Sequence, residues 1–222
     1  MTLFEAILQA ARMRTGAAAL ELRLPQPKSA TDLRATGDDR YLSLMSLRIF
    51  RAGLKHSVVD AKWPAFEEVF HGFEPRRVRG MPDEELEKLL GDSRLIRHGG
   101  KLKAVRDNAA TMLDIGAEHG GFGGWLAAWP GSDIVGLWEA LAKRFSQLGG
   151  NSGPMFLRMA GKDTFVLSPS VAAALQHWGV LMAPPKTRQD RAGAQEAFNH
   201  WAAETQRPLC QLSMILALSV ED

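Results

Sequence analysis

The run LIRHGGKLKAVRDNA (Leu95–Ala109) decides how the rest of this chain is read. It opens a helix expected to run from His98 or Gly99 to about Asp114, the longest in the sequence. Arg97, His98, Lys101 and Lys103 lie near its start, where such a charge run either meets phosphate or forms a solvated basic face. Two further stretches stand upstream, AGLKH (Ala52–His56) and FHGFEPRRVRGM (Phe70–Met81).

Composition sets the bounds. The 222 residues are 45% hydrophobic, enough to bury a real core as one large domain or as two small lobes. A net charge of +2 does not mark a bulk polyanion binder, so nucleic-acid contact must come from local basic patches and backbone donors. The single cysteine, Cys210, excludes an internal disulfide and any metal site that needs two thiolates. At the N-terminus Leu3, Phe4, Ile7, Leu8 and Ala11 are spaced as one face of a helix. Glu5 and Gln9 interrupt what would otherwise resemble a signal-peptide core. No apolar run reaches the roughly 20 residues that span a bilayer. The expectation is a soluble, cytoplasmic protein with no membrane contact.

Nearly every segment reads as helix, and the expected class is all-α. A helix from Asp38-Asp39 carries Tyr41, Leu44, Met45 and Leu47 to about Arg51, with Gly53 just beyond. Pro64 is expected in the first turn of a short helix holding Phe66, Val69 and Phe70. Pro82-Asp-Glu-Glu opens another, its acids at the positive end of the dipole. A glycine-rich break is expected over HGGFGGW (His119–Trp125). Trp125, with Trp129, Trp138, Trp178 and Trp201, is expected to fill the core or line the cleft between lobes, and it is the one that its flanking glycines would let swing. Helices follow over 134–147, 154–160, 169–178, 189–205 and 208–218. Only Thr164–Leu167 is β-prone, and Leu24–Gly37 is expected to be a surface loop.

The segment FSQLGGNSGPMFLRMAGKDTFVLSPSV (Phe145–Val171) has a particular shape. A helix ends, Gly149, Gly150 and Gly153 fill a tight turn, and an apolar helix begins at Pro154. Ser168-Pro169 then supplies a cap and first turn for another. A glycine cluster by itself also marks an ordinary turn between packed helices. The alternative is a turn whose backbone N–H groups approach a DNA phosphate and fix register without reading sequence.

Taken together, these stretches resemble the 3-methyladenine DNA glycosylase I family of the helix-hairpin-helix DNA glycosylase superfamily. The likeness covers about Asp38–Leu113 well and Phe145–Leu175 more loosely. It implies a single two-lobed domain over residues 1–222. Its central lobe, about 38–178, would contain the hairpin at 145–161, and the terminal segments 1–37 and 179–222 would pack together as the second lobe. It also implies a monofunctional glycosylase that hydrolyses the N-glycosidic bond of an alkylated base such as 3-methyladenine. The expected partner is double-stranded DNA with a damaged or abasic nucleotide, bound by a monomer without cofactor or metal. The DNA-binding residues implied are Gly53 and Leu54 as a wedge, Gly149, Gly150, Asn151, Ser152 and Gly153 in the hairpin, and Lys101 and Ser168. Many relatives in the superfamily carry a catalytic aspartate near Ser168; this family resembles the chain in lacking it.

The likeness also shows departures. Counting back without gaps from Ala52-Gly53-Leu54, Arg48 occupies the position of the family's pocket glutamate, and His56 that of its loop tryptophan. The family's zinc ligands, two cysteines and two histidines, are absent, and apolar packing of the terminal helices is expected in their place. An arginine repels a cationic base and suits a neutral base with exposed acceptors, an anion or a phosphate. Otherwise it points to solvent or pairs with an acid, and the pocket is defunct. His56 and Asp60, at i and i+4, form either a base–orienter pair or a surface pair. The alternatives to an alkyl-base glycosylase are a non-catalytic damage-binding module and a glycosylase of changed specificity around Arg48.

Overall fold

The computed structural model describes residues 1–221. It contains α1 (Leu3–Thr15), α2 (Ala17–Arg23), α3 (Ala30–Ala35), α4 (Asp38–Arg51), α5 (His56–Val69), α6 (Pro75–Arg79) and α7 (Asp83–Leu89). The second half forms α8 (Gly99–His119), α9 (Phe122–Ala128), α10 (Ile134–Arg144), α11 (Ser152–Ala160), α12 (Pro169–His177), α13 (Arg188–Thr205) and α14 (Leu209–Leu218). The described residues include no strand, as the all-α expectation requires. Thr164–Leu167, the one β-prone stretch, is assigned neither helix nor strand.

Two compact units emerge, one of residues 1–28, 130–137 and 161–222, the other of residues 29–129 and 138–160. In the first, α14 is apolar on all sides and packs against α1, α12 and α13. Phe165 stacks on Phe198 with ring centroids 4.2 Å apart, and Phe4 lies against Trp201. Both carboxylate oxygens of Asp163 accept from the first amides of α14, Leu209 and Cys210, at 2.9 Å. That cap ties residues 161–168 to the terminal helices, not to the hairpin before them. The C-terminal stretch is two helices: Gln206 turns left-handed (φ 58°) and Pro208 cannot continue α13.

The second unit is built on α4 and α8. Tyr41, Leu42, Met45, Ile49 and Phe50 form the buried face of α4, while Asp38 and Asp39 begin it and Arg48 and Arg51 end it, matching the helix dipole. α8 runs to His119, past the expected end at Asp114, because no breaker intervenes before the left-handed Gly120. Two further expectations are corrected. The 24–37 loop contains α3, started by a capping box between Ser29 and Asp32 and held by buried Leu33. α5 passes through Pro64, which lies on its exposed side, while Val59 and Phe66 are buried seven residues apart on the opposite face. That burial outweighs the lost hydrogen bond.

The glycine-rich stretch breaks the chain at Gly120-Gly121, as expected, and its second half starts α9. A Cβ on Gly123 would collide with the Leu33 carbonyl, and one on Gly124 with the His119 carbonyl. These glycines serve close packing, and Trp125 beside them is buried in the core, as expected, against Phe122 and Trp129. Asp38, expected as a cap for α4, instead accepts from Phe122 N–H at 2.9 Å, at the start of α9. Burial is the main cause that raises its carboxyl above the ordinary value; the Phe122 bond opposes it, and the neighbouring Asp39 charge adds to it.

Candidate nucleic-acid interface

Two polar residues of the opening motif are buried side chains seven positions apart on α8, two turns along one face. Lys101 reaches back to the end of α4. Its ammonium donates to the Ala52 carbonyl at 2.8 Å and the Phe50 carbonyl at 3.4 Å. Asn108 reaches the opposite way, to the hairpin turn: its Oδ1 accepts from Ser146 N–H at 2.7 Å and its Nδ2 donates to Ser146 carbonyl at 3.1 Å. One helix face therefore holds both the loop at 52–55 and the turn at 145–151. Lys101 was expected to meet phosphate. It is buried and its ammonium is spent on carbonyls, so it positions the loop.

The loop presents an apolar side chain to solvent. Gly53 takes φ +77° with open space around it, and Leu54 keeps 43% of its surface exposed despite its apolar side chain. His98 caps α8 by accepting from Lys101 N–H, so the same motif fixes the helix start that presents Lys101.

In the hairpin, Phe145 and Leu148 are buried and Gln147 and Gly150 turn left-handed (φ 66° and 57°). Gly149, Gly150 and Asn151 are exposed at its tip. The Ser152 and Gly153 amides are used inside the turn, donating to the carbonyls of Gly149 and Leu148 at 3.1 Å. Gly153 is itself buried against Leu141 and the Leu148 carbonyl. The exposed tip is thus narrower than the five residues expected. Ser168 caps α12 by accepting from Val171 N–H at 3.2 Å, which occupies its hydroxyl. α11 packs on α4 and thereby joins the hairpin to the helix that carries the loop.

Arg48, in the last turn of α4, is partly buried. Its Nε is fully buried without a hydrogen-bond partner. Burial, and then the adjacent Arg51 charge, lower its proton affinity below that of a free guanidinium. Arg51 itself is neutralised by Asp60 at 2.7 Å. That bond also corrects the expected His56–Asp60 pair: Asp60 turns to Arg51, and His56 stands exposed at the start of α5. Burial, and then the Arg48 charge, likewise lower the Lys101 ammonium.

Sequence reasoning passed over Trp63. It stacks on Phe66 and Phe73 at 4.9 and 5.4 Å, and its Nε1 donates to Ser43 Oγ at 3.1 Å. Ser43 in turn donates to Glu67, which Arg40 grips with two nitrogens at 3.1 Å. The 20-residue separation of Ser43 and Trp63 left no local signal of this chain. The residues do not fit the zinc that the resemblance implies. Cys210 Sγ faces the Pro25 carbonyl, and no group of three or more His, Cys, Asp or Glu among the described residues could hold a metal. No helix among the described residues is long and apolar enough to cross a membrane.

Comparison with known proteins gives this geometry a lineage. Over 80 residues the chain is 32% identical to DNA-3-methyladenine glycosylase 1 of Escherichia coli, a match covering 36% of this chain and 43% of that protein. The chain thus spans less than half the length of the curated relatives it matches. A solved mutant of 3-methyladenine DNA glycosylase I from Staphylococcus aureus superposes with a TM-score of 0.51 at 25% identity, over 56% of this chain and 77% of that one. The 8-oxoguanine glycosylase/lyase of Methanocaldococcus jannaschii, solved in complex with 15mer DNA containing 8-oxoguanine, superposes at 0.54 and 14% identity. It covers 98% of this chain and 96% of its own, a likeness of fold alone. The family model for methyladenine glycosylase matches residues 33–148, over half the chain and containing Arg48, Lys101 and Asn108. The chain belongs to the methyladenine glycosylase family.

Proposed function

We propose that this protein is a monofunctional DNA glycosylase that removes an alkylated base such as 3-methyladenine from duplex DNA, acting as an intracellular monomer. The observation that carries the reading is the pairing of Lys101 and Asn108 on one face of α8. It holds an exposed apolar plug (Leu54) and a glycine turn (Gly149 to Asn151) as parts of one unit. Base excision needs both: a donor-rich turn to grip the backbone and an apolar side chain to fill the gap left by an extruded nucleotide.

The chemistry asked of the protein is modest. An N3-alkylated adenine is already cationic in the nucleoside and leaves as a neutral base. The bond from the sugar C1′ to the base nitrogen breaks with its electron pair going to the base. Water then bonds to C1′ and releases its proton to solvent. No lysine stands in the hairpin turn to form an imine, so the product is an abasic site and the strand stays intact. Release of 3-methyladenine from methylated duplex DNA above a protein-free control is the expected result, and no release would refute this reading.

One observation favours a second reading. Arg48 stands where the family resemblance implies a glutamate and has no carboxylate partner among the described residues. Under it the protein would bind damaged duplex without excising an alkylated base. Strongly salt-dependent binding of an abasic-site duplex, with no base released, is its signature.

A further inference from the structure

We propose that Arg48 is a base-reading residue that donates to O6 and N7 of a neutral 6-oxopurine, the base made by deamination of adenine, in preference to an N3-alkyladenine. The inference rests on the glycosylase reading above and concerns which base that site takes.

Among the described residues, no acid compensates the charge of Arg48. A guanidinium partly withdrawn from water should be paired, and this one has a fully buried Nε–H with no acceptor. Two cations act on it, Arg51 along the helix and Lys101 on α8. The acids on the neighbouring helix are committed elsewhere. Asp60 is bonded to Arg51, and Glu67 to Arg40 and Ser43. Lys101 cannot turn away, because the Phe50 and Ala52 carbonyls hold it. The structure thus fixes two cations together, leaves one unsatisfied, and sets them at the base of the loop that carries exposed Leu54. Such an arrangement persists where an incoming group supplies the missing acceptors.

Two acceptor groups of DNA are available, the backbone phosphate and a base edge. The burial of Arg48 favours the base. Phosphates stay solvated along the backbone, whereas an extruded base is withdrawn from water into protein. A planar guanidinium matches two acceptors side by side, and O6 and N7 of a 6-oxopurine provide that pair. An N3-alkyladenine, free or in DNA, presents an amino donor in place of O6; in the nucleoside, where it is cationic, it would also add a third positive charge. Guanine carries the same edge. It is firmly paired with cytosine, however, while hypoxanthine opposite thymine is a mismatch that costs less to extrude.

The test separates binding from excision. Free hypoxanthine and free 3-methyladenine are titrated into the full-length protein and its Arg48→Gln variant by calorimetry, with thermal unfolding checking that the variant folds. The expected result is at least tenfold tighter binding of hypoxanthine by the wild type, consistent with the discrimination of one bidentate arginine–purine contact. The preference should vanish in Arg48→Gln and reverse in Arg48→Glu. Equal or tighter binding of 3-methyladenine by the wild type overturns the proposal, as does a preference that survives in Arg48→Gln. If instead Arg48→Gln weakens an abasic-site duplex tenfold while free-base binding is unmoved, the guanidinium reads phosphate and the proposal falls. Base release from hypoxanthine- and 3-methyladenine-containing duplexes is measured alongside. Release of 3-methyladenine alone sinks this inference and leaves the glycosylase reading standing. Hypoxanthine preference in binding without release of either base does the reverse.

Discussion

Asn108 holds both backbone polar groups of Ser146, 38 residues away, accepting from its N–H at 2.7 Å and donating to its carbonyl at 3.1 Å. A side-chain amide carries its donor and acceptor on adjacent atoms, so it can satisfy an N–H and a C=O at once. It clamps a turn in which Gln147 and Gly150 are left-handed and which has no strand or helix ladder of its own.

Replacing Asn108 by Leu should therefore cost about 1–3 kcal/mol, since both Ser146 groups would be left unpaired in a dry setting. Asn108→Asp keeps the acceptor, loses the donor and introduces a buried charge, so it should be at least as damaging. Denaturant unfolding of the two variants gives the stability. Affinity for an abasic-site duplex should fall further than the stability loss alone explains.

Lys101→Met keeps the length and apolar stem of the side chain but leaves the Ala52 and Phe50 carbonyls without their donor. A loss of about 1–3 kcal/mol is expected. Hydrogen exchange should speed up at the amides of residues 52–55 more than at α8. Uniform acceleration across the second unit would mean that Lys101 does not specifically hold the loop.

Arg48→Met should stabilise the protein by about 0.5–2 kcal/mol, because it removes a partly desolvated charge with like-signed neighbours. A higher midpoint in urea with an unchanged slope is the expected observation. Destabilisation would show that Arg48 has a structural partner in the folded protein.

Asp38 carries a pH signature. Its carboxyl is raised above 3.8 in the folded state, so the native form holds its proton more tightly than the unfolded chain. The associated stability is present in full below 3.8 and is lost as pH rises through the raised native value. Asp38→Asn keeps an oxygen for the Phe122 amide and does not titrate. It should match or exceed wild-type stability at neutral pH, and the wild type should gain on it as pH is lowered. Asp38→Ala loses the cap and should cost about 0.5–2 kcal/mol at every pH.

Hydrophobic spacing and caps made the α-helical class and most helix positions legible, because those signals are local. Where they misled, tertiary burial decided the outcome. α5 runs through Pro64 because Val59 and Phe66 are buried together, and the second half of the 119–125 stretch starts a helix, its glycines standing where neighbouring carbonyls come too close for a Cβ. Lys101 and Asn108 both stand in the stretch that marks the family, but residue type does not say what they do. The charge of Lys101 suggested solvent or phosphate, whereas both side chains are buried.

By itself, then, the sequence determined the α-helical class, the loop with its apolar tip, the glycine turn, the single cysteine and the arginine at position 48. Each of these is a matter of residue type and local order. Only the tertiary structure decided that Lys101 and Asn108 are the anchors of loop and turn, that Asp60 belongs to Arg51 and not to His56, and that Arg48 lacks a counter-charge among the described residues. Those facts depend on which groups meet across tens of residues and on how much water remains around them, and neither is encoded in spacing along the chain.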